Sequence, residues 1–357
     1  MNLRPSSRAR AIVGPTGLCT GIAAALALGP GCDDGAAADS DTVAADTLDA
    51  VDTTARPDAP TPWIYPEDAT EVTPSLSKAT LAAAIDVAMD AALDVEPQVI
   101  ATLHAALFPM PEAGTGDPTG CPFYLTYDYG NAKAYYWQGE CTAADGTRFS
   151  GSGYVSAFQD FADEFGNHFT GFDLSMAGRI EAADGTWLEG SGQAASYRNE
   201  VEDAAGLSLV LDGTFGAGGP RAPQSPWLDG SRRPTLHVDG WIYIPTGGTN
   251  VTVTGGLSGL DFPDGVSAVS LDGLTAREAL AGASCQKELG GGAGVRGDDG
   301  NWYDVYFDGP VDDEGETPAD LCDGCGETWF RGRTVDATCV PANPYFKWID
   351  APVGGTP

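Results

Sequence analysis

Cysteine is the residue type in this chain whose spacing points most directly to chemistry. Among its eight cysteines, Cys322-Asp323-Gly324-Cys325 has the two-residue gap at which two thiolates grip one tetrahedral ion. With Cys285 and Cys339 it forms a candidate four-thiolate zinc set; the competing readings are structural disulfides and a redox dithiol. A redox dithiol opens a helix beside a strand, whereas Gly326-Glu327-Thr328-Trp329-Phe330 reads as a strand itself. The three histidines, His104, His168 and His237, stand on different elements, so spacing proposes no triad. Two of the 51 acidic residues could face each other as glycosidase carboxylates, but the sequence singles out no pair. Gly292-Ala293-Gly294-Val295-Arg296-Gly297 matches a dinucleotide fingerprint by letter, yet no helix follows it, and it reads as a flexible loop. The phosphate loop, the zinc-protease helix pattern, the nucleophile elbow and the calcium loop do not occur. Arg232-Arg233 and Asp312-Asp313-Glu314 read as solvated loops, the first able to meet an acidic partner and the second to hold calcium. No catalytic residue is assigned from the sequence, and no cofactor is expected.

The elements that would position these residues are mostly strands. Glycine at 48 residues, with 12 tyrosines, 8 tryptophans and 13 phenylalanines, favours tight turns and pleated surfaces. An exception lies between Ser77 and Phe108, where Leu81, Ile85, Met89 and Leu93 recur four apart and Ile100, Leu103 and Leu107 repeat the stripe. Pro97 fits the first turn of a second helix and not the middle of one long helix, so two helices are predicted over 75–112. His104 falls beside the stripe as a buried or boundary residue. From Cys121 the chain reads as hairpins. Gly139–Gly153 (GECTAADGTRFSGSG) recurs as Gly178–Gly192 (GRIEAADGTWLEGSG), and Asp299-Gly300-Asn301-Trp302 resembles a degenerate copy. Each Asp-Gly is expected to form a two-residue hairpin turn. Further strands are predicted over Leu236–Ile244, Thr249–Thr254, Val266–Leu271 and Tyr303–Phe307. The expected fold is mainly β: a large antiparallel meander over 119–350, closed as a barrel or folded as a sandwich, preceded by the short α-helical segment.

A formal net charge of −33 repels nucleic acid and anionic headgroups and leaves cations or basic partners as the electrostatic options. The N-terminal stretch carries Arg4, Arg8 and Arg10 without an acid and runs into an apolar segment, Ala11–Leu28, which is the pattern of a signal peptide. Leu26-Ala27-Leu28-Gly29-Pro30-Gly31-Cys32 resembles a bacterial lipoprotein signal. The resemblance implies removal of residues 1–31 and a lipid on Cys32 that holds the chain to a membrane; Gly29 stands where such signals usually carry an aliphatic residue. The alternative is secretory cleavage after Ala36-Ala37-Ala38. Residues 32–74, rich in Ala, Asp, Thr and Pro, are expected to form an extended, disordered tether, and 351–357 a disordered tail. No later stretch is apolar for long enough to span a bilayer as a helix, and the strands carry too little outward apolar character for a transmembrane barrel.

Without Cys19 and Cys32, six cysteines remain in an oxidising compartment, with fifteen possible pairings. Cys121 and Cys141 are symmetric about Asn131, which pairs them if the loop has three residues or a bulge and sets Tyr127 opposite Tyr135. Cys325 and Cys339 are symmetric about Gly332, leaving Cys285 for Cys322. The function this composition favours is a non-catalytic binding or structural β domain of a cell-envelope or surface lipoprotein, presenting loops and aromatics to a polysaccharide or a protein. The alternative is an extracytoplasmic, carbohydrate-active hydrolase using paired carboxylates on a β-sandwich.

Overall fold

The computed structural model describes residues 73–112, 115–117, 119–162, 166–201, 204–243, 249–278, 285, 287–309, 322–341 and 345. Cys32, the signal segment, the tether up to residue 72, the acidic run 312–314 and the tail lie outside the described residues.

Two helices open the described chain. Helix α1 (Lys78–Leu93) starts at Ser77, whose hydroxyl accepts from the Thr80 N–H as an N-cap. Helix α2 (Pro97–Leu107) has proline in its first turn, where the missing N–H is not needed. Their stripes, Leu81, Ile85 and Met89 on α1 and Ile100, Leu103 and Leu107 on α2, are buried.

Fourteen strands follow: β1 (Gly116–Asp117), β2 (Phe123–Asp128), β3 (Ala132–Thr142), β4 (Arg148–Ala162), β5 (His168–Glu181), β6 (Trp187–Val201), β7 (Ala204–Gly218), β8 (Thr235–Tyr243), β9 (Thr249–Ser258), β10 (Val266–Glu278), β11 (Lys287–Gly297), β12 (Trp302–Asp308), β13 (Cys325–Phe330) and β14 (Arg333–Cys339). They form one antiparallel sheet in strict sequence order, so the meander is as expected. It is not a closed barrel, because β1 and β14 end the order and are not paired with each other among the described residues. A flat sheet of this many strands would be roughly 60 Å across at about 4.8 Å per strand. Yet α2 touches β5, β6 and β7 while α1 touches β8 to β11 and β14, so the sheet curls about the helix pair. The helices fill its inner side, where Trp137, Phe149, Leu174, Ile180, Leu188, Leu211, Val238, Val253, Leu271 and Val305 join the helical stripes in one core.

Local chemistry explains the turns, and it exchanges two of the expected loop lengths. The Ala-Ala-Asp-Gly-Thr hairpins turn with three residues. Ala143 N–H bonds Thr147 O, Gly146 N–H bonds Ala143 O, and the second repeat does the same at Ala182, Thr186 and Gly185. The aspartate Oδ1 accepts from the threonine N–H, at Asp145 and again at Asp184, and only the glycines take positive φ, +88° and +82°. A two-residue type I′ turn would need two successive residues there. The β2–β3 hairpin does the reverse: Tyr129 N–H bonds Ala132 O around Gly130-Asn131, so Tyr127 lies opposite Ala134 and not Tyr135.

The Gly-Ser-Gly elements of the repeat place glycine against large inward side chains. A Cβ on Gly153 would stand 2.4 Å from the Trp137 indole nitrogen, and one on Gly190 would stand 2.6 Å from the Phe215 ring. The dinucleotide-like segment is not a loop. Gly292–Gly297 lies within β11, paired on both sides, because Leu289, Ala293 and Val295 alternate inward while Tyr306 and Trp302 lie over Gly292 and Gly294.

Candidate binding groove on the outer face

The chemistry suggested by the cysteines is closed off. Cys121 is bonded to Cys141, Cys285 to Cys322 and Cys325 to Cys339. All four members of the candidate zinc set are therefore disulfide sulfurs and not the thiolates that zinc requires, and the Cys322-x-x-Cys325 pair is divided between two bridges. The buried Glu288 beside Cys285 and Cys322 serves as a pin: its carboxylate accepts from Leu289 N–H and Gly324 N–H, joining β11 to the segment that leads into β13. Desolvation raises its carboxyl above the ordinary range.

The three histidines separate into three environments. His104 is fully enclosed between α2 and β3, and burial lowers its pKa to about 4. Trp137 Nε1–H donates to His104 Nε2 at 3.2 Å, so the neutral ring carries its hydrogen on Nδ1, facing Tyr135 Oη at 3.2 Å. The tyrosine hydroxyl in turn donates to Phe108 O, and every polar atom in this core network has a partner. His168 pairs with Asp160 at an exposed position. His237 meets both Asp239 Oδ2 at 3.1 Å and Ser208 Oγ at 3.0 Å, and the Asp239 hydrogen bond raises its pKa. Aspartate, histidine and serine thus come together across β7 and β8, but both partners share Nε2. A hydrolytic relay needs them on opposite ring nitrogens, so this cluster is not a triad. Arg232 stacks over Trp227, 4.8 Å from the ring centroid.

What register alone does assemble on the outer face is a row of small residues between two rows that carry aromatics, a candidate groove. Opposite residues of antiparallel strands share a face. One transverse row runs Tyr127, Ala134, Ser156, Asp173, Ala195 across β2 to β6. Ala134, Ser156 and Ala195 are small and buried, forming a floor. The row on one side carries Tyr136, Tyr154, Ser175 and Gln193; the row on the other carries Phe158, Gly171 and Tyr197. Phe158 and Tyr197 meet over Gly171 with ring centroids 5.9 Å apart. At the β2 end, Tyr127 and Tyr129 stack with planes 6° apart, and Tyr129 is 63% exposed.

Asp173 sits in the floor of this groove. Its Oδ2 accepts from Gln193 Nε2 at 2.9 Å and from Tyr197 Oη at 3.0 Å, whereas Oδ1 is covered and has no protein partner. Burial outweighs those two hydrogen bonds and raises its carboxyl above the ordinary range. Burial also raises the Tyr154 hydroxyl, with the negative charge of Asp173 and the neighbouring Tyr129 and Tyr127 adding to it. Beyond the groove, toward the Asp-Gly turns, the outer face is charged: Glu181 bridges Arg148 and Arg179, and Arg179 lies over the Trp187 ring at 4.2 Å.

Apart from Tyr127, named only for its register, none of the groove residues was singled out from sequence, although one signal for them was there. Tyr154, Ser156 and Phe158 stand at the same distances from Asp145 as Gln193, Ala195 and Tyr197 do from Asp184. The repeat thus extends into a large-small-large pattern on alternate residues. No protein-family model matches the chain, and no curated protein and no solved structure matches it either.

Proposed function

We propose that this chain is a cell-envelope or surface lipoprotein, tethered by a lipid on Cys32, whose β domain binds a linear polysaccharide in the outer groove of β2–β6 without altering it. The observation that carries this reading is the parallel Tyr127–Tyr129 pair, half-buried at Tyr127 and exposed at Tyr129, beside a row of small residues flanked by aromatic rows. Sugar rings present flat C–H faces that pack on tyrosine, and hydroxyls that bond planar groups such as the carboxamide of Gln193. The groove crosses five strands, about 19 Å, which admits several sugar units in a row. Binding is favoured over hydrolysis because glycoside cleavage needs two converging carboxylates, while the side chains hydrogen-bonded to Asp173 are Gln193 and Tyr197. The acidic stretch after Cys32 suits a spacer that self-repels and keeps the domain off an anionic surface.

The test is retention of the full chain on a panel of insoluble polysaccharides, comparing the native protein with a Tyr127→Ala/Tyr129→Ala variant. Retention of the native protein and its loss in the variant, with unfolding unchanged, is the expected result. Equal retention of both, or of neither on any polysaccharide, would refute the groove reading. Intact mass of the natively expressed protein, with Cys32→Ser as control, tests the tether: a diacylglyceryl increment on a chain starting at Cys32 is expected, and an unmodified start at Asp39 would exclude it.

A further inference from the structure

The state of Asp173 narrows the ligand. A carboxylate placed under side chains is strongly disfavoured unless a positive charge or several donors meet it. Here two donors do, both on Oδ2 and both neutral, and Oδ1 is left without a protein partner. The basic residues that flank the groove in sequence do not help. By strand alternation Lys133 falls on the face of Tyr135, and Arg198 on the face of Ala194, opposite to Asp173. The aromatic groups around the site, Tyr154, Phe158 and Tyr197, offer electron-rich ring faces and no cation.

We infer that the glycan taken by this groove is an amino-sugar polymer with free amino groups, one ammonium sitting on Asp173 among Tyr154, Phe158 and Tyr197 while neighbouring rings pack on Tyr127 and Tyr129. This rests on the polysaccharide reading above and adds the charge of the ligand to it. Because Oδ1 is covered in the free chain, a ligand reaches it only by displacing the side chains that close over it, and a neutral hydroxyl that did so would give Oδ1 one hydrogen bond but leave the charge unmatched. An ammonium gives it a charge-assisted bond, has two further donors for Gln193 Oε1 or a tyrosine oxygen, and is drawn to the ring faces. The raised carboxyl of Asp173 is consistent with a site that lacks its counter-charge until the ligand arrives. The overall charge of −33 acts in the same direction at long range by concentrating cations near the surface.

That overall charge would also attract any polycation, so the experiment must separate the site from the field. Binding of a glucosamine tetrasaccharide, the N-acetylated tetrasaccharide and a neutral glucose tetrasaccharide is measured by calorimetry on the full chain near 0.15 M salt. There exposed charges are screened over about 8 Å while a buried contact is not. The Asp173→Asn variant keeps the shape and removes one of 51 acidic residues, so it barely changes the field. At least tenfold tighter binding of the free-amine sugar, reduced by tenfold or more in Asp173→Asn with unfolding unchanged, is the expected result. Equal binding of all three sugars, or a preference that survives Asp173→Asn, overturns the ammonium assignment and leaves the groove as a polysaccharide site. Binding of a short lysine peptide, dependent on Asp173, with none of the sugars bound would overturn both readings. Loss of the preference in Tyr154→Ala but not in Asp173→Asn would overturn the role given to the carboxylate.

Discussion

Strands β3 to β6 send alternate residues to two faces, and the two faces treat buried polarity in opposite ways. On the inner face the Trp137 indole, the His104 imidazole, the Tyr135 hydroxyl and the Phe108 carbonyl form a closed chain of hydrogen bonds that carries no charge. On the outer face Asp173 is only partly buried, yet its covered Oδ1 lacks a protein partner and its charge has no counter-charge among the described residues. Unmet polar groups are tolerated in a fold when something other than folding uses them. The contrast therefore ties the inner network to stability and makes the outer row the place to test for recognition, although the two are separated by the thickness of one sheet.

Substitutions should divide along the same line. The largest loss of stability is expected from Trp137→Ala, which empties a fully buried position and strands the acceptor on His104. Denaturant unfolding should show about 3–5 kcal/mol, and a loss under about 1 kcal/mol would break the comparison.

Next comes acid. The pKa of His104 falls from 6.5 to about 4 on folding, so the unfolded chain binds its proton more readily. Its contribution is complete above pH 6.5, declines as pH falls and is lost by about pH 4, amounting to about 3 kcal/mol. Urea titrations across that range on the native protein and on His104→Gln should differ by this pH-dependent amount, and parallel curves would mean the ring is solvated.

On the outer face the expected changes in stability are small. Asp173 has a raised pKa in the folded state, so its charge opposes folding above the unfolded value and the opposition eases as pH falls. Asp173→Asn should leave the unfolding midpoint unchanged or move it upward at pH 7. A marked downward shift would show that the carboxylate holds the groove together. Tyr129→Ala, at the most exposed of the described groove aromatics, should alter stability by no more than about 0.5 kcal/mol while weakening retention on polysaccharide. A variant that lost both would place Tyr129 with the core and sharpen the boundary between the faces elsewhere.

How much of this could be read in advance depends on how local the deciding interaction is. The helices were legible because a period of four and a proline at a first turn are set by neighbours in sequence. The β3–β4 and β5–β6 registers were nearly so, since each hairpin is symmetric about its aspartate, Asp145 or Asp184. The Cys325–Cys339 bond was expected from symmetry about Gly332, but the turn pairs Phe330 with Arg333, and a register shift between Thr328 and Trp329 brings the two cysteines opposite each other. One-residue errors arose where loop length depended on a side chain: Asp145 Oδ1 bonding the Thr147 N–H lengthens one turn, and Gly130 permits the shorter turn that moves Tyr127 to Ala134. The strand within Gly292–Gly297 was missed because its glycines are justified only by Trp302 and Tyr306 on the next strand.

By itself, then, the sequence determined the elements, the places where hairpins turn and the alternation that gives every strand two faces, since each depends on residues close along the chain. Only the tertiary structure decided that the sheet curls about the helices, that the cysteines have no thiolate left for zinc, and that Tyr127, Ser156, Asp173 and Ala195 fall in one row. The alignment of one hairpin on the next is the reason. Between β4 and β5 it is set by a register shift between Phe158 and Phe161 and by backbone contact at Gly151 and Gly178, interactions across strands that no periodicity in the chain encodes.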